Sequence, residues 1–179
     1  PIVTLLDNVS ARQRKLATSG NPDQINRFSG EVTGNMPMRR SMGGSSFNPA
    51  SVPNNYGTPI AEAAARNGIP PEILAGLIDT ESNFNPAAES QVGARGLGQF
   101  MPPTAAEFGV DVNDPMSSID GAARYLKYLL DYFNGDMNLA IYAYNGGMGN
   151  IERFNGPIPG NKENEEYLQK VLDNSTKYR

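Results

Sequence analysis

Apolar residues recur at intervals of three and four in the later part of the chain, a spacing that predicts helices. The clearest series is Ile119, Ala122, Ala123, Leu126, Leu129, Leu130 and Phe133. It follows Asp114-Pro115, a pair typical of a helix start. Further patterns predict helices over 58–67, 70–82, 104–107, 138–145 and 163–174. No stretch alternates in the manner of a strand, so the pattern predicts a mainly α fold.

The helix predicted over 70–82 ends with two carboxylates that helical geometry separates. Its apolar residues are Ile73, Leu74, Leu77 and Ile78. At 100° per residue, Glu81 lies about 10° from the centre of their face and Asp79 about 170° from it. We therefore expect Glu81 to point inward and Asp79 to face water.

A carboxyl group that loses hydration has a raised pKa and can act as a general acid near neutral pH. A helix end that simply surfaces, with Glu81 solvated, explains the same pattern, because apolar faces commonly end in a polar residue. This helix by itself favours the solvated alternative.

The 179 residues include neither cysteine nor histidine. This composition excludes disulfides, thiolate nucleophiles, serine–histidine mechanisms and histidine-ligated metal sites. Acid–base chemistry must then depend on Asp, Glu, Lys or Tyr, which leaves a carboxylate enzyme or a module without catalysis. The segment from Asp111 begins like a calcium loop, but Met116 and Ala122 stand where glycine and glutamate are needed. We expect no metal and no cofactor.

The first part of the chain differs from the rest in composition and charge. Gly, Ser, Pro and Asn dominate 18–57, so residues 1–57 are predicted to form an extended, largely irregular arm with one short helix around Leu5, Leu6 and Val9. Residues 58–179 form the predicted helical domain. The arm carries six Lys and Arg against three Asp and Glu, and the domain nine against sixteen. The acidic domain argues against a nucleic-acid site, and the scattered charges of the arm are typical of a solvated segment.

No run of about 18 apolar residues occurs, so we expect no membrane span. The first residues do not have the pattern of a signal peptide, and the chain begins with Pro1. We therefore expect it to be a piece of a longer product.

Three motif blocks follow one another between residues 60 and 178. The first comprises Glu81-Ser82, Phe84 and Asn85-Pro86. The second runs from Ser90 through Gly93-Ala94, Gly96-Leu97 and Gln99 to Met101-Pro102 and Thr104-Ala105. The third is Ala143-Tyr144-Asn145 with Gly146. In this order the blocks resemble the soluble lytic transglycosylases, relatives of goose-type lysozyme that cleave peptidoglycan, and the resemblance implies a lysozyme-like helical domain.

The resemblance also implies roles for individual residues. Glu81 occupies the position of the catalytic acid and base. Tyr144 and Asn145 match the pair that orients this acid and contacts substrate. The positions that line the sugar-binding cleft are matched by Ser90, Gly96, Gln99 and Met101. Amide side chains can donate to and accept from sugar hydroxyl and N-acetyl groups, which suits this assignment.

Three positions depart from the family pattern. Gly98 stands where the family usually has Met, Ser118 replaces an Asn, and Gly147 replaces an Ala. We expect Gly98 to leave the cleft wall short of a side chain and so to alter glycan preference.

A glycosidase of the two-carboxylate type needs a second acid, whereas the motif blocks contain one candidate. The resemblance implies that Glu81 protonates the glycosidic oxygen between N-acetylmuramic acid and N-acetylglucosamine. It then removes the proton of the muramoyl C6 hydroxyl, which closes a 1,6-anhydro ring. A lysozyme would use water instead, and a third alternative is a non-catalytic part that only grips glycan.

The expected partner is the glycan strand of peptidoglycan, in the periplasm or cell wall. The arm over 1–57 fits a domain carried within a larger assembly, such as a phage virion protein that opens the wall for DNA delivery. There it would contact other virion or envelope-machine proteins. An exported periplasmic enzyme of a bacterium is the alternative.

Overall fold

The computed structural model describes residues 46–179, and helices account for most of them. They are α1 (Gly57–Asn67), α2 (Pro71–Ser82), α3 (Pro102–Glu107), α4 (Pro115–Tyr132), α5 (Met137–Gly146), α6 (Met148–Phe154) and α7 (Lys162–Thr176). Within 46–179 no strand forms, and only isolated bridges join Arg95 to Glu89 and Phe100. The prediction of a mainly α fold is confirmed.

The short helix predicted around Leu5 and most of the predicted arm lie outside the described residues. The division of the chain at 57/58 therefore stays a prediction. Two 3-10 turns, Pro49–Ser51 and Pro53–Asn55, precede α1. Val52 between them is buried, and the N–H of Asn48 donates to the carbonyl of Tyr178 at 2.8 Å.

Local sequence explains where the helices begin. The Asp114 carboxylate accepts from the Met116 N–H, as the Asp-Pro pair predicts, and Asp136 caps α5 in the same way. The predicted start of the short helix at Thr104 is wrong by two residues. α3 begins at Pro102, because the fixed φ of proline suits the first turn of a helix and its missing N–H is not needed there.

Helices α2 and α7 cross at a glycine. A Cβ on Gly76 would lie 2.6 Å from the Val171 carbonyl oxygen and 2.6 Å from the Ser175 nitrogen, so the two backbones touch at this point. The buried residues of α2 run from Ile73 to Asp79 without interruption. A helical segment that is apolar all round belongs in the core, and α2 is therefore covered on every side over these residues.

The prediction that Asp79 faces water is wrong. Asp79 is 8% exposed. The Tyr178 hydroxyl donates to its Oδ2 at 2.7 Å, and the Lys177 ammonium lies 3.1 Å from the same oxygen. The helical wheel assumed a single buried face, whereas the residues that follow α7 fold back over the opposite face and supply these partners.

Replacing Asp79 by alanine should lower the free energy of unfolding by about 3 kcal/mol, because the buried hydroxyl of Tyr178 loses its acceptor. Urea denaturation measures this change. Asp131→Ala is the matched control, since Asp131 pairs with Lys127 on the exposed surface of α4 and should contribute less than about 1 kcal/mol. Equal losses from the two variants would show that the buried hydrogen bond between Tyr178 and Asp79 does not stabilise the fold.

Candidate active site

Glu81 lies in the last turn of α2 and is half-buried. The hydroxyl of Tyr167, on α7, donates a hydrogen bond to its Oε1. The predicted inward direction of Glu81 is therefore confirmed. The contact depends on the close crossing of α2 and α7 at Gly76, which brings two residues far apart in the chain together.

Burial raises the pKa of Glu81 to about 7, and two neighbours modulate it. The hydrogen bond from Tyr167 stabilises the carboxylate and lowers the pKa, while the negative charge of Glu163 raises it. Near neutral pH both protonation states are then populated. A carboxyl group in this condition can give a proton in one step and take one in the next.

Tyr144 is the tyrosine that the resemblance assigned to orienting the acid. In the structure its hydroxyl donates to the carbonyl oxygen of Gly98 at 3.0 Å. Its ring packs against Tyr125, with 5.0 Å between centroids, and against Phe100 at 6.4 Å. Tyr167, not Tyr144, is the side chain bonded to Glu81.

Sequence reasoning assigned no function to Tyr167. Tyr167 lies in the helix predicted over 163–174 and, with Glu166 and Val171, belongs to the connecting segments that resemble the family. The available signal was Gly76 in the middle of an apolar helix, because an interior glycine with no turn to serve often marks a close helix contact. That signal does not say which residue of the partner helix lies against Glu81.

The loop between α2 and α3 carries four of the predicted cleft residues. The Ser90 hydroxyl oxygen accepts from the Ala94 N–H at 3.0 Å. The Gln99 side-chain NH2 group donates to the carbonyls of Ala88 and Gly96 at 3.1 and 2.9 Å. Both side chains therefore hold the loop in shape, and both remain half-buried at its surface.

Gly96 and Met101 occupy different positions on this loop. Gly96 is buried with φ at +75°, and a Cβ there would lie 2.4 Å from the carbonyl oxygen of Val112. It is a glycine because the chain passes so close to another backbone. Met101 is half-buried and precedes α3. Contacts of these loop residues with sugars stay predictions.

The expectation that Gly98 leaves a gap in the cleft wall is wrong. Gly98 is buried, and a Cβ on it would lie 2.5 Å from the Phe100 ring and 3.0 Å from the Tyr144 hydroxyl. The space is already filled by these two rings. The Gly98 N–H donates to the Ser118 hydroxyl oxygen at 3.2 Å, so two of the three positions that depart from the family pattern are in direct contact.

Gly98→Ala should lower the free energy of unfolding by about 1–3 kcal/mol, because the added methyl group must displace Phe100 or Tyr144 in a packed region. Thermal or urea denaturation measures it. Gly149→Ala on α6 is the matched control, because nothing lies within 4 Å of its added methyl group. It should leave stability unchanged or raise it by about 0.5–1 kcal/mol. A Gly98→Ala protein as stable as the control would contradict this packing.

Asn145 lies in the last turn of α5, beside a second carboxylate. Its side-chain NH2 group donates to Oε1 of Glu163 at 3.4 Å, and its Oδ1 accepts from Asn164 at 2.9 Å. Glu163 is the same residue whose charge raises the pKa of Glu81. Sequence reasoning identified Asn145 but assigned no function to Glu163 or Asn164.

Between residues 46 and 179 no cluster of acidic side chains is arranged to hold a metal ion. Over the same residues, no helix has the length and apolar composition to span a membrane.

The chain is similar to known proteins over the part that contains this site. Residues 58–167 match the family model described as the transglycosylase SLT domain. A transglycosylase of Enterobacteria phage PRD1 is 45% identical over 89 residues, which cover 49% of this chain and 33% of the relative. Peptidoglycan transglycosylase gp16 of Escherichia phage T7 is 34% identical over 138 residues, which cover 69% of this chain and 10% of the relative.

Among solved structures, the 70 kDa soluble lytic transglycosylase of Escherichia coli superposes with a TM-score of 0.63 at 26% identity. The match covers 72% of this chain and 24% of that one. The chain therefore spans about a third or less of the length of these three proteins. The similarity extends to the lysozyme-like helical arrangement that the sequence predicts.

Proposed function

Because the chain belongs to the transglycosylase SLT domain family, we propose that it is a peptidoglycan lytic transglycosylase. It cleaves the β-1,4 bond between N-acetylmuramic acid and N-acetylglucosamine and leaves a 1,6-anhydro end on the muramoyl residue. The observation that carries the proposal is the Glu81 carboxyl group, bonded to Tyr167 and with its pKa raised to about 7. Such a group can serve as acid and as base in one catalytic cycle.

The first step is proton donation from Glu81 to the glycosidic oxygen. The bond between this oxygen and the muramoyl C1 breaks, and N-acetylglucosamine leaves with a free 4-hydroxyl. The positive charge that develops at C1 is stabilised by the substrate's own 2-acetamido group, in the manner of glycosidases that need only one enzyme carboxyl.

In the second step Glu81, now a carboxylate, removes the proton of the muramoyl C6 hydroxyl. O6 bonds to C1 and closes the 1,6-anhydro ring, so the carboxyl group returns to its starting form and no water is consumed. Tyr167 supports both steps, because its hydroxyl donates to the carboxylate and holds its orientation.

A hydrolytic muramidase would share the first step and use water in the second. A non-catalytic domain that only binds glycan would release no soluble products. Digestion of purified peptidoglycan, followed by mass spectrometry of the soluble products, separates the three. Anhydromuropeptides support the proposal, products heavier by one water indicate a muramidase, and binding without products indicates the non-catalytic part.

The relatives from two phages support a virion setting, in which the domain acts on the cell wall from the periplasmic side. In this setting residues 1–57 contact other virion or envelope-machine proteins. Detection of the protein in purified virions supports the setting, whereas recovery only from the periplasm of uninfected bacteria supports an exported bacterial enzyme.

A further inference from the structure

Asn164 is a fully buried polar residue in the first turn of α7. Its Oδ1 accepts from the backbone N–H of Ile158 at 2.9 Å, and its NH2 group donates to the backbone carbonyl of Tyr142 at 3.1 Å. A backbone N–H can only donate and a carbonyl oxygen can only accept. These two partners therefore fix which end of the Asn164 amide is the oxygen and which is the nitrogen.

The fixed amide of Asn164 determines the orientation of Asn145. The NH2 group of Asn164 also donates to Oδ1 of Asn145 at 2.9 Å. Asn145 must present its oxygen to Asn164 and turn its own NH2 group to the opposite side, where Glu163 accepts from it at 3.4 Å. Glycine at position 146 permits the close contact between Asn145 and Asn164, because a Cβ there would lie 2.6 Å from the side-chain nitrogen of Asn164.

We propose that Asn164 is a positioning residue that sets the polarity of Asn145, so that Asn145 offers N–H donors and no acceptor to the glycan. One N–H is taken by Glu163, and the other binds an acceptor oxygen of the substrate. The carbonyl oxygen of an N-acetyl group fits best, because it accepts and does not donate. The inference rests on the proposed function, since it assigns a substrate contact within the same site.

Asn164→Asp tests the polarity with little change in shape. The carboxylate still accepts from Ile158 but has no N–H for Asn145, so the Asn145 amide turns round and directs its oxygen at Glu163 and the substrate. We expect the KM for soluble, uncrosslinked glycan strands to rise about tenfold, the effect of one lost hydrogen bond, with kcat changed less than about twofold. If Asn164→Asp does not fold, Asn164→Ser is the second test: its hydroxyl can donate or accept, so it no longer fixes the Asn145 amide, and KM should rise by a smaller factor.

A double-mutant cycle separates this role from a general effect on stability. Asn145→Ala should raise KM by a similar factor, and Asn164→Asp should cause no further rise in that background. Asn161→Ala is the matched control. It removes the cap from the Asn164 N–H and weakens the same helix end, but it should leave KM within about twofold of the wild type.

Two results would overturn the inference while the wild type is active. One is an unchanged KM in folded Asn164→Asp, and the other is an equal rise in KM with and without Asn145. A wild type that releases no soluble product from peptidoglycan overturns the proposed function instead. Binding of the same glycan strands to the Glu81→Gln protein then tests the Asn164 cycle without catalysis.

Discussion

Replacing Glu81 by glutamine is expected to reduce the rate of peptidoglycan cleavage by at least about a thousandfold, within the range that general acid–base groups contribute. Glutamine has the shape of the carboxyl group and can still accept the hydrogen bond from Tyr167. It cannot give a proton to the glycosidic oxygen or take one from the C6 hydroxyl. Release of soluble muropeptides from purified peptidoglycan measures the rate.

Among residues 46–179, no other group can easily replace Glu81. The chain has no histidine. Glu163 is the nearby carboxylate whose charge acts on Glu81, but it is exposed and accepts a hydrogen bond from Asn145.

Asp79→Asn is the matched control, because Asp79 is a buried carboxyl group on the same helix, two residues before Glu81. Like Glu81→Gln, it replaces a carboxyl group by an amide. It should lower the free energy of unfolding and leave the rate of the folded protein within a few-fold of the wild-type rate. The assignment of Glu81 would fail if Glu81→Gln kept more than about a hundredth of the wild-type rate. It would equally fail if Asp79→Asn were the inactive variant.

The contrast between these two carboxylates marks how far the sequence predicts the site. The apolar periodicity of α2 predicts the helix and the inward direction of Glu81, because both depend on residues within a few positions of one another. The same helical geometry wrongly predicts that Asp79 faces water. That error arises because Tyr178, distant in sequence, covers the other face of the helix, and no local pattern contains this information.

The contacts of the site that sequence reasoning missed are likewise long-range. Tyr167 reads as an ordinary buried aromatic residue until α7 is placed against Gly76 of α2. Asn164 lies among charged residues in the first turn of a helix, where polar side chains are usually solvated. Gly98 suggests a gap when compared with the family pattern alone, because Tyr144, which helps the neighbouring Phe100 ring to fill the space, lies 46 residues further along the chain.

Tyr167→Phe should shift the alkaline limb of the pH–rate profile to higher pH and lower the maximal rate by about tenfold to a hundredfold. The Tyr167 hydroxyl stabilises the carboxylate form of Glu81 and lowers its pKa, so its removal moves that pKa above about 7. The first step needs the protonated form, which then persists to higher pH. The lower maximum follows because the carboxyl group loses the bond that fixes its orientation.

Tyr144→Phe provides the comparison that distinguishes the two tyrosines. It removes a hydroxyl that donates to Gly98 and leaves the bond between Tyr167 and Glu81 in place. We expect it to lower the rate, because the loop that carries Gly98 loses a hydrogen bond. The alkaline limb of the pH–rate profile should stay where it is in the wild type. If Tyr144→Phe moved the limb and Tyr167→Phe did not, Tyr144 would be the partner of the acid during turnover, and the α2–α7 contact would serve only to stabilise the fold. The direction of the shift is the decisive quantity, because a purely structural loss would lower the rate at every pH without moving the limb.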